Sequence, residues 1–318
     1  ILKVTVWRIT MSDILSRITN KIGDKNIVDK LSALSKSDLN SLLLEVFDRQ
    51  ANTLTATDIL KSYQLNRFTI PSGIDPEEIH ALESKLLRKA FNMDIKTIML
   101  SPSAPLGSCS VFGSVDQYNV VSALRGTETL ADPSNMLAII IADKLKRKEE
   151  NNTIPIHMAT TARVIRAQNF VGKGLYSHFG LYCMVSSGID TGSYTCEKML
   201  LEKHLNYYKD ILSEIENVRF SIILRKRNGY KDNDGFFDRM VETIKLIFPN
   251  IELSIHNDDV DNNYYKGINF KLSVKQGNET VEIVDGGFVD WTYQMLGNKK
   301  ERCLISGIGL ERFLVAVS

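Results

Sequence analysis

The stretch Cys303-Leu304-Ile305-Ser306-Gly307-Ile308-Gly309-Leu310-Glu311-Arg312-Phe313 decides the fold. Its first four residues read as a buried strand, and Leu310-Glu311-Arg312-Phe313 opens a helix. Gly307 and Gly309 lie between the two, where a missing Cβ lets backbone approach a ligand or a neighbouring strand. On the first turn of the helix Arg312 presents a planar fork of donors that fits a phosphate. On these residues alone the segment is either a ligand-facing junction or a glycine-rich turn whose arginine pairs with a carboxylate.

Upstream, Asp75-Pro76-Glu77-Glu78 is a helix start: a capping carboxylate, a proline at the first helical position, and two acids at the positive end of the dipole. Ile79, Leu82, Leu86 and Leu87 then recur at helical spacing, and a β run Thr97-Ile98-Met99-Leu100 ends at Ser101-Pro102. Further strands are expected near 120–124, 154–158, 162–168, 178–187, 218–224, 251–256, 267–274, 279–284 and 303–306, with helices at 134–148, 194–214, 235–248 and 309–316. Neighbours such as 267–274 and 279–284, joined through Gln276-Gly277-Asn278, point to antiparallel pairing. The expected class is α+β, an antiparallel β-sheet flanked by helices. Neither GxxxxGK[ST] nor GxGxxG occurs, which removes the common phosphate loops.

Residues 1–72 read as a small N-terminal helical region, residues 1–10 as an extension ahead of Met11, and residues 73–318 as the core. In the helical region Ser37-Asp38 and Thr57-Asp58 are the expected caps of two short helices, and Pro71-Ser72-Gly73 is the expected boundary. With 39 basic and 38 acidic residues the formal charge is +1, so nothing in the overall balance draws the chain to nucleic acid or an anionic membrane. The short basic runs Arg225-Lys226-Arg227 and 144–148 are expected to be solvated surface. The four cysteines form no CxxC pair, the five histidines do not cluster, and no metal ligands are assigned. No apolar run reaches the roughly 20 residues that cross a bilayer. A cytoplasmic protein without a membrane partner is expected.

A Gly-x-Gly-x-Glu-Arg run after a strand resembles motif 3 of class II aminoacyl-tRNA synthetases, whose arginine contacts the ATP γ-phosphate; here that is Arg312, with Gly307 and Gly309 beside it. The 75–102 pattern resembles motif 1, the dimer segment of the family, with Pro102 in the proline position. Val164-Ile165-Arg166-Ala167-Gln168, a glycine-bearing loop and Ser177-His178-Phe179 resemble motif 2. The resemblance makes Arg166 the α-phosphate contact, Phe179 the aromatic beside adenine, His178 a phosphate contact and Gln168 a further nucleotide contact. Tyr264-Tyr265-Lys266-Gly267-Ile268-Asn269-Phe270 and Asp285-Gly286-Gly287-Phe288-Val289-Asp290 resemble the histidyl-tRNA synthetase group, which implies that Tyr264, Tyr265, Gly286 and Gly287 hold a small substrate.

Departures from that pattern are concrete. Asp258-Asp259-Val260-Asp261-Asn262-Asn263 stands where the group has an arginine for the substrate carboxylate, Gln168 replaces the motif 2 glutamate, and Leu181 and Val185 replace polar positions. Leu130-Ala131-Asp132-Pro133-Ser134-Asn135 replaces Leu-Arg-Pro-Glu-x-Thr. The resemblance implies ATP and Mg²⁺, a homodimer formed through the motif 1-like segment, and activation of an amino acid or similar carboxylate as an adenylate; the departures favour a substrate other than histidine. The competing expectation is a non-catalytic regulatory or ligand-binding subunit. The chain ends six residues after Arg312, where the group continues into an anticodon-binding domain, so tRNA ranks below other acceptors.

Overall fold

The computed structural model describes residues 11–151, 153–168, 176–215, 219–256, 264–276 and 279–317. Contacts divide the chain into two compact units: one runs to Lys61 and takes in Leu124–Gly126, the other comprises Ser62–Ala123 and Thr127–Ser318. In the first, α1 (Met11–Ile22), α2 (Ile27–Ser32), α3 (Lys36–Ala51) and the start of α4 (Ala56–Leu65) follow one another. The caps sit slightly upstream of the expected ones. Ser35 Oγ accepts from Asp38 N, and Thr55 and Asp58 cap each other across the first turn of α4.

The second unit carries α5 (Pro76–Asn92), β1 (Lys96–Thr97), β2 (Ser103–Pro105), β3 (Thr127–Thr129), α6 (Pro133–Lys146), β4 (Ile156–Ile165), β5 (His178–Ile189), α7 (Thr195–Leu212), β6 (Arg219–Lys226), α8 (Asn233–Ile247), β7 (Glu252–His256), β8 (Lys266–Gln276), β9 (Glu279–Val289), α9 (Trp291–Leu296), β10 (Glu301–Gly309) and α10 (Leu310–Val317). Helix α5 begins as its sequence dictates, with the Asp75 carboxylate accepting from Glu77 N at 2.8 Å and Pro76 in the first turn.

Eight strands form one sheet in the order β1-β4-β5-β10-β9-β8-β6-β7. From β4 to β6 every neighbouring pair is antiparallel. The edge strands β1 and β7 pair in parallel, so the sheet is mixed rather than purely antiparallel. Two expected strands fuse: 154–158 and 162–168 belong to the single strand β4, paired with β5 from Ile156 to Ile165. The expected strand at 120–124 is absent. Its backbone closes locally on the next turn, Ala123 N donating to Thr127 O and Thr129 N to Val121 O, which leaves one bridge at Ser122. The expected run 97–100 contributes only Lys96–Thr97 to the sheet.

Period-2 alternation divides the two faces. One face packs Tyr182, Met184, Leu304, Ile308, Phe270 and Phe288 against α5, α7, α8 and α10, the main core. On the other, Cys183, Val185, Cys303 and Ile305 meet Leu137, Ile141 and Trp291 of α6 and α9. Inside the main core runs a polar chain between the sheet and α7. His157 Nδ1 meets Ser186 Oγ at 2.6 Å, Ser186 Oγ meets His204 Nε2 at 2.8 Å, and Ser306 Oγ joins His204 Nδ1 at 2.7 Å and Tyr208 Oη at 2.6 Å. Each buried polar atom of this chain thus has a partner, the condition for a polar group to sit in a core.

Burial, reinforced by Lys203, holds His157 neutral down to about 4. It also holds His204 well below the ordinary histidine range, with His157 and Lys203 adding to the effect. The unfolded chain takes up these protons near 6.5, so the native state binds fewer protons between the two values. Stability is therefore full above about 6.5 and falls as pH drops toward 4, by up to ~1.4 kcal/mol per pH unit for each histidine. Urea midpoints should fall between pH 7.5 and pH 5.0, and His157→Gln should flatten that slope. Equal slopes in the two proteins would show that His157 does not carry the effect.

Candidate active site

On the α6 face the sheet opens into a cleft of about 660 Å³, within the range of small-ligand sites. Its floor follows from strand register. Gly307 of β10 lies opposite Cys183 of β5 on one side and Asp285 of β9 on the other, and Asp285 lies opposite Lys271 of β8. One row therefore runs Cys183, Gly307, Asp285, Lys271 across the floor. The same alternation turns Arg225 of β6 and Asn269 of β8 toward the cleft, and Arg227, just past the end of β6, lines it too. Walls come from the segment around Cys109, Asn119 and Val120, from Asp132 and Ser134 at the start of α6, from Arg166 and Gln168 after β4, and from Tyr264 and Tyr265 before β8.

Arg166 Nε donates to Ala131 O at 2.9 Å, and its guanidinium lies 5.2 Å from the Phe179 ring centroid, a cation–π distance. Arg312 is exposed at the cleft and donates from one terminal nitrogen to Glu282 O at 3.4 Å. Among the described residues neither arginine has a carboxylate partner. The carboxylates divide in the same way. Glu282 pairs with Lys271 Nζ at 2.6 Å, and Glu311 accepts from Gly180 N at 2.8 Å and pairs with Arg163 at 3.3 Å. Asp132 and Asp285, by contrast, meet only neutral donors. Asp132 caps α6 through Ser134 N at 2.9 Å and accepts from Tyr264 Oη at 3.3 Å. Asp285 accepts from Tyr265 Oη and from Asn269 Nδ2, the latter at 3.0 Å.

Asp285 is open to solvent from the cleft although protein surrounds it on nearly every side, and this enclosure raises its carboxyl pKa against the opposing pull of Tyr265, Asn269 and Lys271. Burial likewise pushes the Cys183 thiol up to about 12, so that floor cysteine is a neutral thiol.

Eight of the residues singled out from the sequence line this one cleft: Arg166, Gln168, Phe179, Tyr264, Tyr265, Gly307, Gly309 and Arg312. Three do not. His178 is bound through both ring nitrogens, Nδ1 accepting from Arg163 Nε at 2.8 Å, which leaves Nε2 to donate to Ile70 O at 2.6 Å. Gly286 and Gly287 are packing positions: a Cβ on Gly286 would come within 2.6 Å of Phe270 and 2.8 Å of Ile305 O, and one on Gly287 within 2.5 Å of Tyr265. The acidic run 258–263 and the glycine-bearing loop 169–175 lie outside the described residues. Asp132, Asp285, Asn269, Lys271, Arg225 and Arg227 were not singled out as site residues, and Arg227 is buried rather than solvated surface. Strand alternation was the signal available for Asn269, Lys271 and Arg225.

No family model matches the chain, and no curated protein matches it in sequence. Solved structures do. The apo histidyl-tRNA synthetase of S. aureus aligns at 13% identity and TM-score 0.59 over 78% of this chain and 69% of its own. The RNA binding domain of threonyl-tRNA synthetase from Cryptosporidium parvum aligns at 10% identity and TM-score 0.60, over 81% and 70%. An ATP phosphoribosyltransferase regulatory subunit/histidyl-tRNA synthetase from Bacillus halodurans aligns at 11% and 0.52, over 79% and 82%. The chain carries a class II aminoacyl-tRNA synthetase-like fold.

The glycines separate packing from ligand access. Gly286→Ala should destabilise the fold by ~1–3 kcal/mol through overpacking, read as a lowered urea midpoint. Gly309→Ala meets nothing nearer than Arg312 Cβ at 3.8 Å and should unfold like the parent protein. The reverse order of midpoints would contradict this division.

Proposed function

We propose that the cleft binds ATP as its magnesium complex and activates an amino-acid-like carboxylate as an acyl-adenylate. One observation carries this reading: Arg166 and Arg312 share a cleft with Asp132 and Asp285, and among the described residues no charge of either sign is neutralised by the other. Uncompensated charges of both signs in one enclosed space favour a ligand that brings anionic and cationic groups together. An amino acid beside a polyphosphate does so.

In the reaction a carboxylate oxygen attacks the α-phosphorus. A P–O bond to the bridging oxygen breaks, and pyrophosphate leaves with the electron pair. Arg166 stabilises negative charge at the α-phosphate, Arg312 at the mouth holds the distal phosphate, and Phe179 offers an apolar plate to the base. Positioning and fixed charge supply the rate enhancement. Magnesium enters with the nucleotide, as part of the substrate, and offsets the charge of the polyphosphate. The 75–102 segment is proposed as a homodimer contact, with Phe91 73% and Met99 95% exposed there.

Gln168 supports a second reading. It is an amide on the cleft wall at the position where the resemblance expects a carboxylate, which favours a regulatory or ligand-binding subunit without catalysis.

ATP–pyrophosphate exchange with a panel of amino acids, together with calorimetric ATP titration, tests both readings. Exchange should appear with an amino acid, and Arg166→Ala and Arg312→Ala should each weaken ATP binding at least tenfold with unchanged melting. ATP binding that depends on the arginines, without exchange, would select the second reading. ATP affinity indifferent to both substitutions would overturn the nucleotide site itself.

A further inference from the structure

Four carboxylates line the cleft, and their surroundings are not equivalent. Glu282 and Glu311 are neutralised by Lys271 and Arg163. Asp132, half-buried, accepts at one oxygen from Ser134 N, capping α6, and at the other from Tyr264. Asp285 stands on the floor, opposite Gly307 and Lys271 in the sheet, and is exposed where Asp132 and Glu282 are half-buried and Glu311 is buried. Its two oxygens are held in fixed directions by Tyr265 Oη and Asn269 Nδ2. Both donors are neutral, so they orient the carboxylate without cancelling its charge. Asp285 and its cross-strand neighbour Gly307 both line the cleft.

Aromatic surface adjoins this carboxylate. The Tyr264 and Tyr265 rings, both lining the cleft, meet edge to face at 4.7 Å. A carboxylate beside tyrosine rings in an enclosed cleft is the chemistry that holds an organic cation: charge-assisted hydrogen bonds to the acid and attraction to the ring faces. An amino acid carries a single α-ammonium, and the cleft holds two carboxylates without a cation partner among the described residues. Asp132, at the N-terminus of α6, suffices for the α-ammonium; Asp285 is then left for a second positive group.

We infer that Asp285 is the specificity-determining residue of the cleft and takes a cationic side chain, an ammonium or guanidinium, of the amino acid. This inference rests on the adenylate-forming reading for its reaction but not for its binding. The enclosure that raises the Asp285 carboxyl pKa is the same feature that rewards a bound cation, since a cation at that point favours the ionised form.

The test compares amino acids that share the α-ammonium and differ in side-chain charge: lysine, ornithine and arginine against leucine, methionine and glutamine. Binding is measured by calorimetry and activation by ATP–pyrophosphate exchange, on the full chain and on Asp285→Asn, with thermal melts to show that the variant is folded. Asp285→Ala serves as a second variant should the amide melt early. At least a tenfold preference for the cationic set, lost in the variant, is expected. A neutral amino acid preferred by the parent protein, or a cationic preference that survives both variants, would overturn the inference while leaving adenylate formation intact. Asp285-dependent binding of cationic amino acids with no exchange would uphold the inference and sink the adenylate reading. No binding of any cationic member would overturn the inference.

Discussion

Everything in the core unit depends on β10 being hydrogen-bonded on both sides, to β5 from Glu301 to Gly309 and to β9 from Cys303 to Ile308. A strand so placed has no freedom to slip, because a shift of one residue would turn every side chain to the other face. Its even positions, Leu304, Ser306 and Ile308, are fixed against the helices of the main core. Its odd positions must then face the other way. Ile305 projects to that side, while Gly307 and Gly309 add no side chain there, and all three line the cleft. At Gly307 a Cβ would approach Tyr182 O to 3.0 Å, so packing alone nearly accounts for that glycine; at Gly309 it does not.

The charge distribution follows from the same register. Asp285 and Lys271 are neighbours across β9 and β8, and Arg225 and Asn269 across β6 and β8, so acid, amide and cation alternate along rows of the floor. Lys271 nevertheless pairs with Glu282 rather than Asp285, whose hydrogen bonds come from the neutral donors Tyr265 and Asn269. Local chemistry at element ends adds the rest: the cap of α6 places Asp132, and the first turn of α10 places Arg312.

How much of this was legible in the sequence depended on whether the signal was local. Capping residues and the strand–glycine–helix junction at 303–313 are local, and the elements they announce appear close to where they were expected. The fusion of two expected strands into β4 was not legible, because polar Thr160 and Thr161 look like an interruption until β5 supplies a partner for both. The role of Asp285 was equally hidden. Its chain neighbours Gly286 and Gly287 drew attention as the substrate floor, yet they face Phe270 and Tyr265, and the acid beside them faces the cleft. His178 shows the same limit: its motif 2-like position suggested a phosphate contact, but it follows the strand alternation away from Phe179 and bonds Arg163 and Ile70 O.

The reverse side of the floor explains why such a site can hold its geometry. Beneath Gly307, the Ser306 hydroxyl is gripped by His204 and Tyr208 of α7, and the network continues through Ser186 to His157. The backbone that faces the cleft is thereby tied to a buried, fully partnered set of polar groups rather than to apolar contacts alone, which tolerate sliding. A directional network under the floor fixes the register of β5 and β10 against α7. That register in turn sets the spacing between Cys183, Gly307 and Asp285. The positions of the charged groups above the sheet are thus determined by uncharged hydrogen bonds below it, and loss of those bonds on histidine protonation would disturb the cleft without touching any residue that lines its open side.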